Sequence, residues 1–408
     1  VADKRLLGDW LSSYLEVTAN LEAKESLHRW TGMVCLATAL RRRVVAHMQH
    51  GPIYPNLYVF IVAESAKARK SSAMNYGKKL LIDTFPELRI FQDDMTPQGL
   101  IKYLYLRATK DVKGDKKPQG DFVLFADELA NLFGTERNRS SKMVILLTTT
   151  FMCTDVYDHL TVRDSLERLY NLYPVVLAAT DPSNLKVLPA DAIGGLTGRI
   201  IWIIEREKRH VNPGWINPND TATLRQTALR ECLIHDLQCV SQMQGNMAFA
   251  SDAQAMYDAW YQILSTKDER DPRTDAFYHR CHTTALQIAM LLSISNGNNM
   301  LVSAVHMANA IKLIEAQLPD IKRVTIWSGA GQYEQQRSKY ITYLQGQGGK
   351  ALRRNLLRYM GISVAEFDQV TITLTEDGTI ESPRILGNET ILQLTQKAIT
   401  TNNNEKIS

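Results

Sequence analysis

LYVFIVAESAKARKSS occupies residues 57–72, and FVLFADE occupies residues 122–128. Each begins as an apolar, β-favouring run, and each breaks at its end into chemistry. The first passes through a loop of small residues to Arg69, Lys70, Ser71 and Ser72 and then into a helical pattern. The second ends on two acids, Asp127 and Glu128. A strand, a small-residue loop and a helix start place backbone N–H groups and a lysine where an anion can sit. A buried strand ending in carboxylates offers a metal ligand and a base at the same edge of a sheet. This pairing decides the fold as α/β.

Working outward, strand and helix patterns alternate: strand 57–63, helix 71–84, strand 88–92, helix 97–108, strand 122–126, helix 140–153, strand 174–180 and strand 199–204. Such alternation predicts a parallel, three-layer α/β core over residues 51–210. Thr96 is placed as a helix N-cap, with Pro97 in the first turn. Upstream, apolar residues at helical spacing predict two N-terminal helices within residues 1–50, the second ending at Arg41-Arg42-Arg43. Residues 211–325 are helical in pattern after a Pro/Asn-rich connection. Residues 332–396 read as three helices followed by strands around Gly378 and Gly387, a small winged helix.

The chain has 408 residues, enough for two to three domains at about 150 residues each. Hydrophobic residues make up 45%, which excludes wholesale disorder. A net charge of +4 requires any nucleic-acid footprint to be local. The five cysteines form no CxxC pair and no zinc-type spacing, and read as reduced thiols of a cytoplasmic protein. No signal peptide or membrane span stands out, and a chain opening on Val1 reads as a segment of a longer polypeptide.

Within the loop, Ser65, Ala66, Ala68, Arg69, Lys70, Ser71 and Ser72 are the candidates for holding a nucleoside triphosphate. Lys70 reaches the terminal phosphates and Ser71 binds Mg²⁺. Asp127 is the second metal candidate, and Glu128 polarises the attacking water. Thr180, at the end of strand 174–180, is placed as a polar sensor between loop and acids. Arg199, at the entry of the next strand, can reach a γ-phosphate held by a neighbouring subunit. Each has a plainer alternative: a surface loop with solvated cations, acids complementing a helix dipole, a strand-end turn, a surface ion pair. The loop also departs from the glycine pattern. With one residue inserted, Ala63, Ala66 and Ala68 stand where glycines serve positive φ; without a gap, Arg69 does.

These residues carry a resemblance. NLYVFIVAESAKARKS (56–71), FVLFADELANLFG (122–134), VVLAATDPSNLKVLPADAIGGLTGRI (175–200) and YHRCHTTALQIAMLLSI (278–294) are similar to a family of P-loop ATPases found beside primase domains in phages, plasmids and integrated elements. The order of strand, phosphate loop, acidic strand, sensor and arginine also resembles the AAA+ (ASCE) group. Residues 278–294 and 302–314 resemble the helical lid of minichromosome-maintenance-type helicases. The resemblance implies a ring-forming, hexameric helicase using ATP and Mg²⁺, moving along single-stranded or forked DNA in a bacterial host cytoplasm, with a primase as a possible partner. It places a second sensor arginine at Arg280.

Two segments are candidates for DNA contact. Residues 157–172 read YDHLTVRDSLERLYNL, a hairpin from which His159, Arg163 and Arg168 can touch phosphates, or in which Asp158, Asp164 and Glu167 neutralise them. KALRRNLLRYMGIS (350–363) is a helix presenting Lys350, Arg353, Arg354 and Arg358 outward. The following helix carries Glu366 and Asp368 and no base, which suits backbone contact or partner packing better than base reading. Two further functions stay open beside the helicase: a nucleotide-binding assembly module that does not hydrolyse ATP, and an initiator or helicase loader.

Overall fold

The computed structural model describes residues 4–395 except 50, 65, 93–94, 111–118, 135–136, 161–165, 188–194, 216, 218, 267–276, 298, 328–329, 377 and 388. The chain divides into two compact units, residues 1–328 and 329–408.

The first unit is mixed α/β; outside its main sheet, β1 (Val44–Met48) pairs with β2 (Gly51–Ile53) and β9 (Gly245–Asn246), and β10 (Ala248–Phe249) pairs with β11 (Leu301–Val302). The main sheet runs β4 (Ile90–Phe91), β5 (Gln119–Ala126), β7 (Glu167–Thr180), β3 (Tyr58–Val62), β8 (Ile201–Ile204), with β6 (Val156–His159) pairing off β7. All pairs are parallel except β6 with β7. Every residue of β3 is buried, as expected of a central parallel strand covered on both faces. Helices α3 (Lys70–Thr84), α4 (Pro97–Lys110), α5 (Leu129–Phe133) and α6 (Arg137–Thr150) connect the strands and pack against β7. The arrangement is compatible with a three-layer α/β core. Thr96 accepts from the Gly99 N–H at 3.1 Å, a working N-cap for α4.

The N-terminal helices are α1 (Trp10–Val17) and α2 (Glu25–Leu40). Helix α2 buries thirteen of its sixteen residues against α1, α3, β7 and two later helices, α7 (Thr221–Ser241) and α9 (Cys281–Asn296). It therefore joins the sheet to the helical region in one hydrophobic core. Between α7 and α9 lies α8 (Ser251–Thr266), and α10 (Ala304–Glu315) and α11 (Leu318–Trp327) complete the unit.

Several element bounds differ from the sequence pattern: strand 88–92 shortens to Ile90–Phe91, and helix 140–153 lies at Arg137–Thr150. The strand read as 174–180 begins at Glu167 and runs through Pro174, with Asn171 at φ 54° beside a register shift opposite Gln119–Asp121. Past that irregularity, Pro174 continues the ladder opposite Phe122. The expected hairpin is present, β6 pairing with the first part of β7. The strand read as 199–204 begins at Ile201, after a single 3₁₀ turn over Thr197–Arg199.

The second unit contains α12 (Ala330–Gly346), β12 (Lys350–Leu352), α13 (Arg353–Met360), α14 (Val364–Glu376), β13 (Arg384–Leu386) and β14 (Glu389–Gln393). Its sheet order is β12-β14-β13, all antiparallel. Tyr340, Leu356, Phe367, Leu374 and Leu392 form its separate core. Residues 350–352, read as the start of a helix, form a strand instead, because they pair with Ile391–Gln393.

Candidate functional site

The site lies where β3, β5 and β7 end. Val62 pairs with Thr180, and Ala126 with Ala178, so Ala63, Asp127–Glu128 and Thr180–Asp181 emerge side by side. Ala63 N–H donates to the Thr180 carbonyl at 3.0 Å and fixes the start of the loop. The loop then turns sharply into α3, whose N-terminus no side chain caps. The positive end of this fifteen-residue helix's dipole therefore lies at the loop.

Lys70 is only 7% exposed, and its ammonium donates to the Ala63 carbonyl at 3.2 Å. Burial pushes its pKa down, while Glu128, Asp181 and Asp127 act in the opposite sense. A lysine, two strand-end acids and a third acid thus share one field. Thr180, fully buried, donates to Glu128 Oε1 at 2.6 Å. That bond orients the carboxylate. Asp127 is exposed at the rim, where a metal ligand can be reached.

Ala66 (φ 63°) and Arg69 (φ 58°, ψ 34°) take the left-handed backbone. The glycine-like positions are therefore Ala66 and Arg69, not Ala63 or Ala68, which are buried with ordinary backbone. The Arg69 side chain turns away from the loop: Nε donates to Glu22 Oε2 at 2.6 Å. Lys208 holds the other Glu22 oxygen at 2.7 Å, and these bonds, Lys208 first, hold the Glu22 carboxyl at about 2. Arg69 is thus a brace between the loop and the α1–α2 turn that carries Glu22, and Glu22 links both to Lys208 in the segment after β8. Glu64, a charge of the wrong sign for phosphates, pairs with Lys67. Ser71 is half-buried and Ser72 exposed on the first turn of α3. Ser65 lies outside the described residues.

Arg199 and Arg280 are brought together, but not to Lys70. Arg199 packs 5.9 Å from the Phe151 ring, and Phe151 lies edge-on to Tyr58 at the opposite end of β3. Its Nη1 donates to the Gly195 carbonyl, and its Nε is buried without a partner. Burial lowers its pKa, and the nearby Arg280 charge adds to that. Arg280, at the start of α9, therefore belongs to the strand-entry end rather than the Lys70 loop. Among the later helices, α11 reaches the exit end of β8, where its Asp320 accepts from the Ile204 N–H at 3.1 Å.

Among the DNA candidates, Arg168 is held bidentately by Asp158 at 2.6 and 2.8 Å, and His159 lies 3.1 Å from Glu167. The described part of the hairpin is internally neutralised. Arg163 lies outside the described residues. In the second unit Arg353 pairs with Asp368 and stacks on Phe367, Arg354 pairs with Glu389 at 2.8 Å, and Arg358 is exposed.

Among the described residues, His235, Asp236 and Cys239 place ligand atoms within 4.8 Å of one another. Their chemistry is already spent. The Asp236 carboxylate, fully buried, accepts from Arg5 Nε and from the Leu6 and Leu7 N–H groups, pinning the N-terminal segment to α7. Among the described residues no helix is long and apolar enough to cross a membrane. The chain matches no family model, and no curated protein matches it in sequence.

Proposed function

We propose that this chain is an ATP-dependent DNA helicase or translocase subunit of a phage or other mobile element, working as a ring, with residues 332–396 as a winged helix. The observation that carries the proposal is the convergence of buried Lys70, the Glu128–Thr180 hydrogen bond and Asp127 at the C-terminal ends of adjacent parallel strands. The sheet order supports it, because β7, which bears the sensor candidate Thr180, lies between the loop strand β3 and the acidic strand β5. The helix, strand, helix, helix, strand, strand order of the second unit supports the winged helix.

The residues fit ATP and Mg²⁺: an uncapped helix N-terminus, a lysine aimed along the loop, a hydroxyl at Ser71 and a carboxylate at Asp127. When bound, Mg²⁺ would neutralise phosphate charge. Lys70 supplies the balancing positive charge of the chain itself. Ser71 and Asp127 are the groups to hold the metal. Glu128, oriented by Thr180, accepts the proton of the attacking water, a role worth roughly 10²–10⁴-fold in rate.

The test is ATP hydrolysis with and without single-stranded DNA. Wild type turns over ATP faster with DNA, Glu128→Gln binds ATP but loses turnover, and Lys70→Ala loses both. Wild-type protein that takes up no ATP with Mg²⁺ present overturns the proposal. A second reading, ATP binding without hydrolysis in an assembly or loading module, is favoured by one observation: the left-handed loop positions carry Ala66 and Arg69 instead of glycine. Tight ATP binding with no turnover in wild type selects it.

A further inference from the structure

At the strand-entry end of the sheet, two cavities meet at Tyr54. The first has a volume of about 140 Å³, roughly ten times the space one water needs. Its walls are mostly apolar and aromatic, with Tyr54, Phe151, Tyr257 and Leu286 among them. Asn56 and Gln287 supply amides. Gln287 is 2% exposed, and its Nε2 donates to the Tyr54 carbonyl and to Asn56 Oδ1, both at 3.0 Å. These two bonds fix the amide's orientation and leave Oε1 buried without a partner. An unpaired buried carbonyl bordering an aromatic cavity calls for a ligand that donates a hydrogen bond from a flat ring.

The second cavity, about 400 Å³ and open, is lined by Arg41, Arg42 and Arg43 with Tyr54, Asp121 and Asn171. Arg42 is structural: it bonds Asn171 Oδ1 at 2.6 Å and the Cys153 carbonyl at 2.8 Å, pairs with Asp155, and lies 4.6 Å over the Tyr54 ring. It thereby fixes the partition between the cavities. Its two neighbours are less committed. Arg43 donates once, to Ala39 O at 2.9 Å, and Arg41 makes one loose ion pair with Asp121 at 3.7 Å. The cavity therefore keeps guanidinium donors with capacity for an anion, despite the Asp121 carboxylate on its wall.

We infer that these paired cavities form a subsite for one nucleotide of single-stranded nucleic acid, the base in the Gln287 slot and its phosphate against Arg41 and Arg43. The inference deepens the DNA part of the proposed function and rests on that reading. It moves the contact from the neutralised hairpin to the hairpin's base, where Asn171 and Asp155 tie Arg42 to the sheet. Aromatic walls accept any base face, while arginines supply a salt-dependent grip.

The test is fluorescence anisotropy of a labelled oligothymidylate without ATP or Mg²⁺. Wild type binds with an affinity that falls as salt rises. The double variant Arg41→Gln, Arg43→Gln weakens binding roughly 10-fold and flattens the salt dependence, and Gln287→Leu weakens it roughly 5-fold or more without changing the salt slope. Thermal unfolding run in parallel establishes that each variant is folded, and Arg43→Gln alone, on an exposed side chain, gives a milder form of the same loss. Unchanged binding in folded variants overturns the inference. So does equal binding of an abasic strand, which needs no base slot, or of polyglutamate, which marks an acidic protein partner. Thymidine monophosphate competing as well as the oligonucleotide also overturns it, since the site then takes a free nucleotide. ATP uptake by wild type is measured separately: its failure alongside intact oligonucleotide binding sinks the motor and leaves this subsite standing.

Discussion

Ala66 and Arg69 hold left-handed backbone that an L side chain adopts at a cost of about 1–2 kcal/mol each. Glycine at position 66 removes that strain but adds about 0.5–1 kcal/mol of unfolded-chain entropy. Ala66→Gly is therefore expected to stabilise the protein by about 0–1.5 kcal/mol, with urea unfolding as the measurement; a clear loss of stability means that the Ala66 methyl is needed for packing. His28 makes a second residue-scale case. It is buried beside Tyr14 and Tyr76, neither ring nitrogen has a partner, and burial, with the Arg209 charge adding to it, pushes its pKa from 6.5 to about 4. Between those values the unfolded chain binds a proton that the folded chain refuses, so stability falls as pH drops from 6.5 to 4 and levels off below. The shift corresponds to about 3 kcal/mol. His28→Phe is expected to flatten the stability profile across that window, and an identical slope in wild type and variant rejects this account. The lysine, the acids and Thr180 were legible in sequence because each follows a recognisable strand. Glu22 was not: it meets Arg69 and Lys208 across 47 and 186 residues of chain, and only the folded core creates that bridge.

At the scale of elements, α3 is positioned by how closely it approaches α2. A Cβ at Gly77 would lie 2.3 Å from Thr31 Cγ2, 3.2 Å from Cys35 Sγ and 3.3 Å from the Tyr14 hydroxyl. The helix axes can come this near only with no side chain at that position. Gly77→Ala is expected to destabilise the protein by about 1–3 kcal/mol through overpacking, and, because α3 carries Lys70 at its first residue, to weaken ATP binding as well. Thermal unfolding and nucleotide titration of the same preparation check both parts; a variant as stable as wild type means that α2 and α3 separate freely. Strand and helix order was readable because apolar runs and 3.6-residue periodicity are local signals. The extension of β7 to Glu167 was not, since Pro174 reads as a break and the part before it is held by pairing with β6 and Gln119. The position of α9 was equally hidden. Its Gln287 reaches the Tyr54 carbonyl, 233 residues away, and so places Arg280 beside Arg199 rather than Lys70.

Across the whole molecule, Lys70 and Arg199 occupy opposite ends of the same strand. Lys70 follows the exit of β3, and Arg199 packs by Phe151 and Tyr58 at its entry. Five residues of strand separate those ends by about 16 Å, so one subunit cannot bring both groups to one phosphate. Under the proposed function, Arg199 acts on the nucleotide of a neighbour, and a head-to-tail ring is the arrangement that closes such contacts. Lys70→Ala and Arg199→Ala should each lose ATPase activity, the second by roughly 10³-fold or more if it stabilises transferred charge. Mixed before assembly in equal amounts, the two inactive variants should regain activity, because about one interface in four then joins an intact Lys70 to an intact Arg199. The regained rate should fall on dilution as rings dissociate. A mixture as inactive as its components, under conditions where the wild-type ring is intact by light scattering, means that Arg199 serves its own subunit's packing against Phe151 and no neighbouring site.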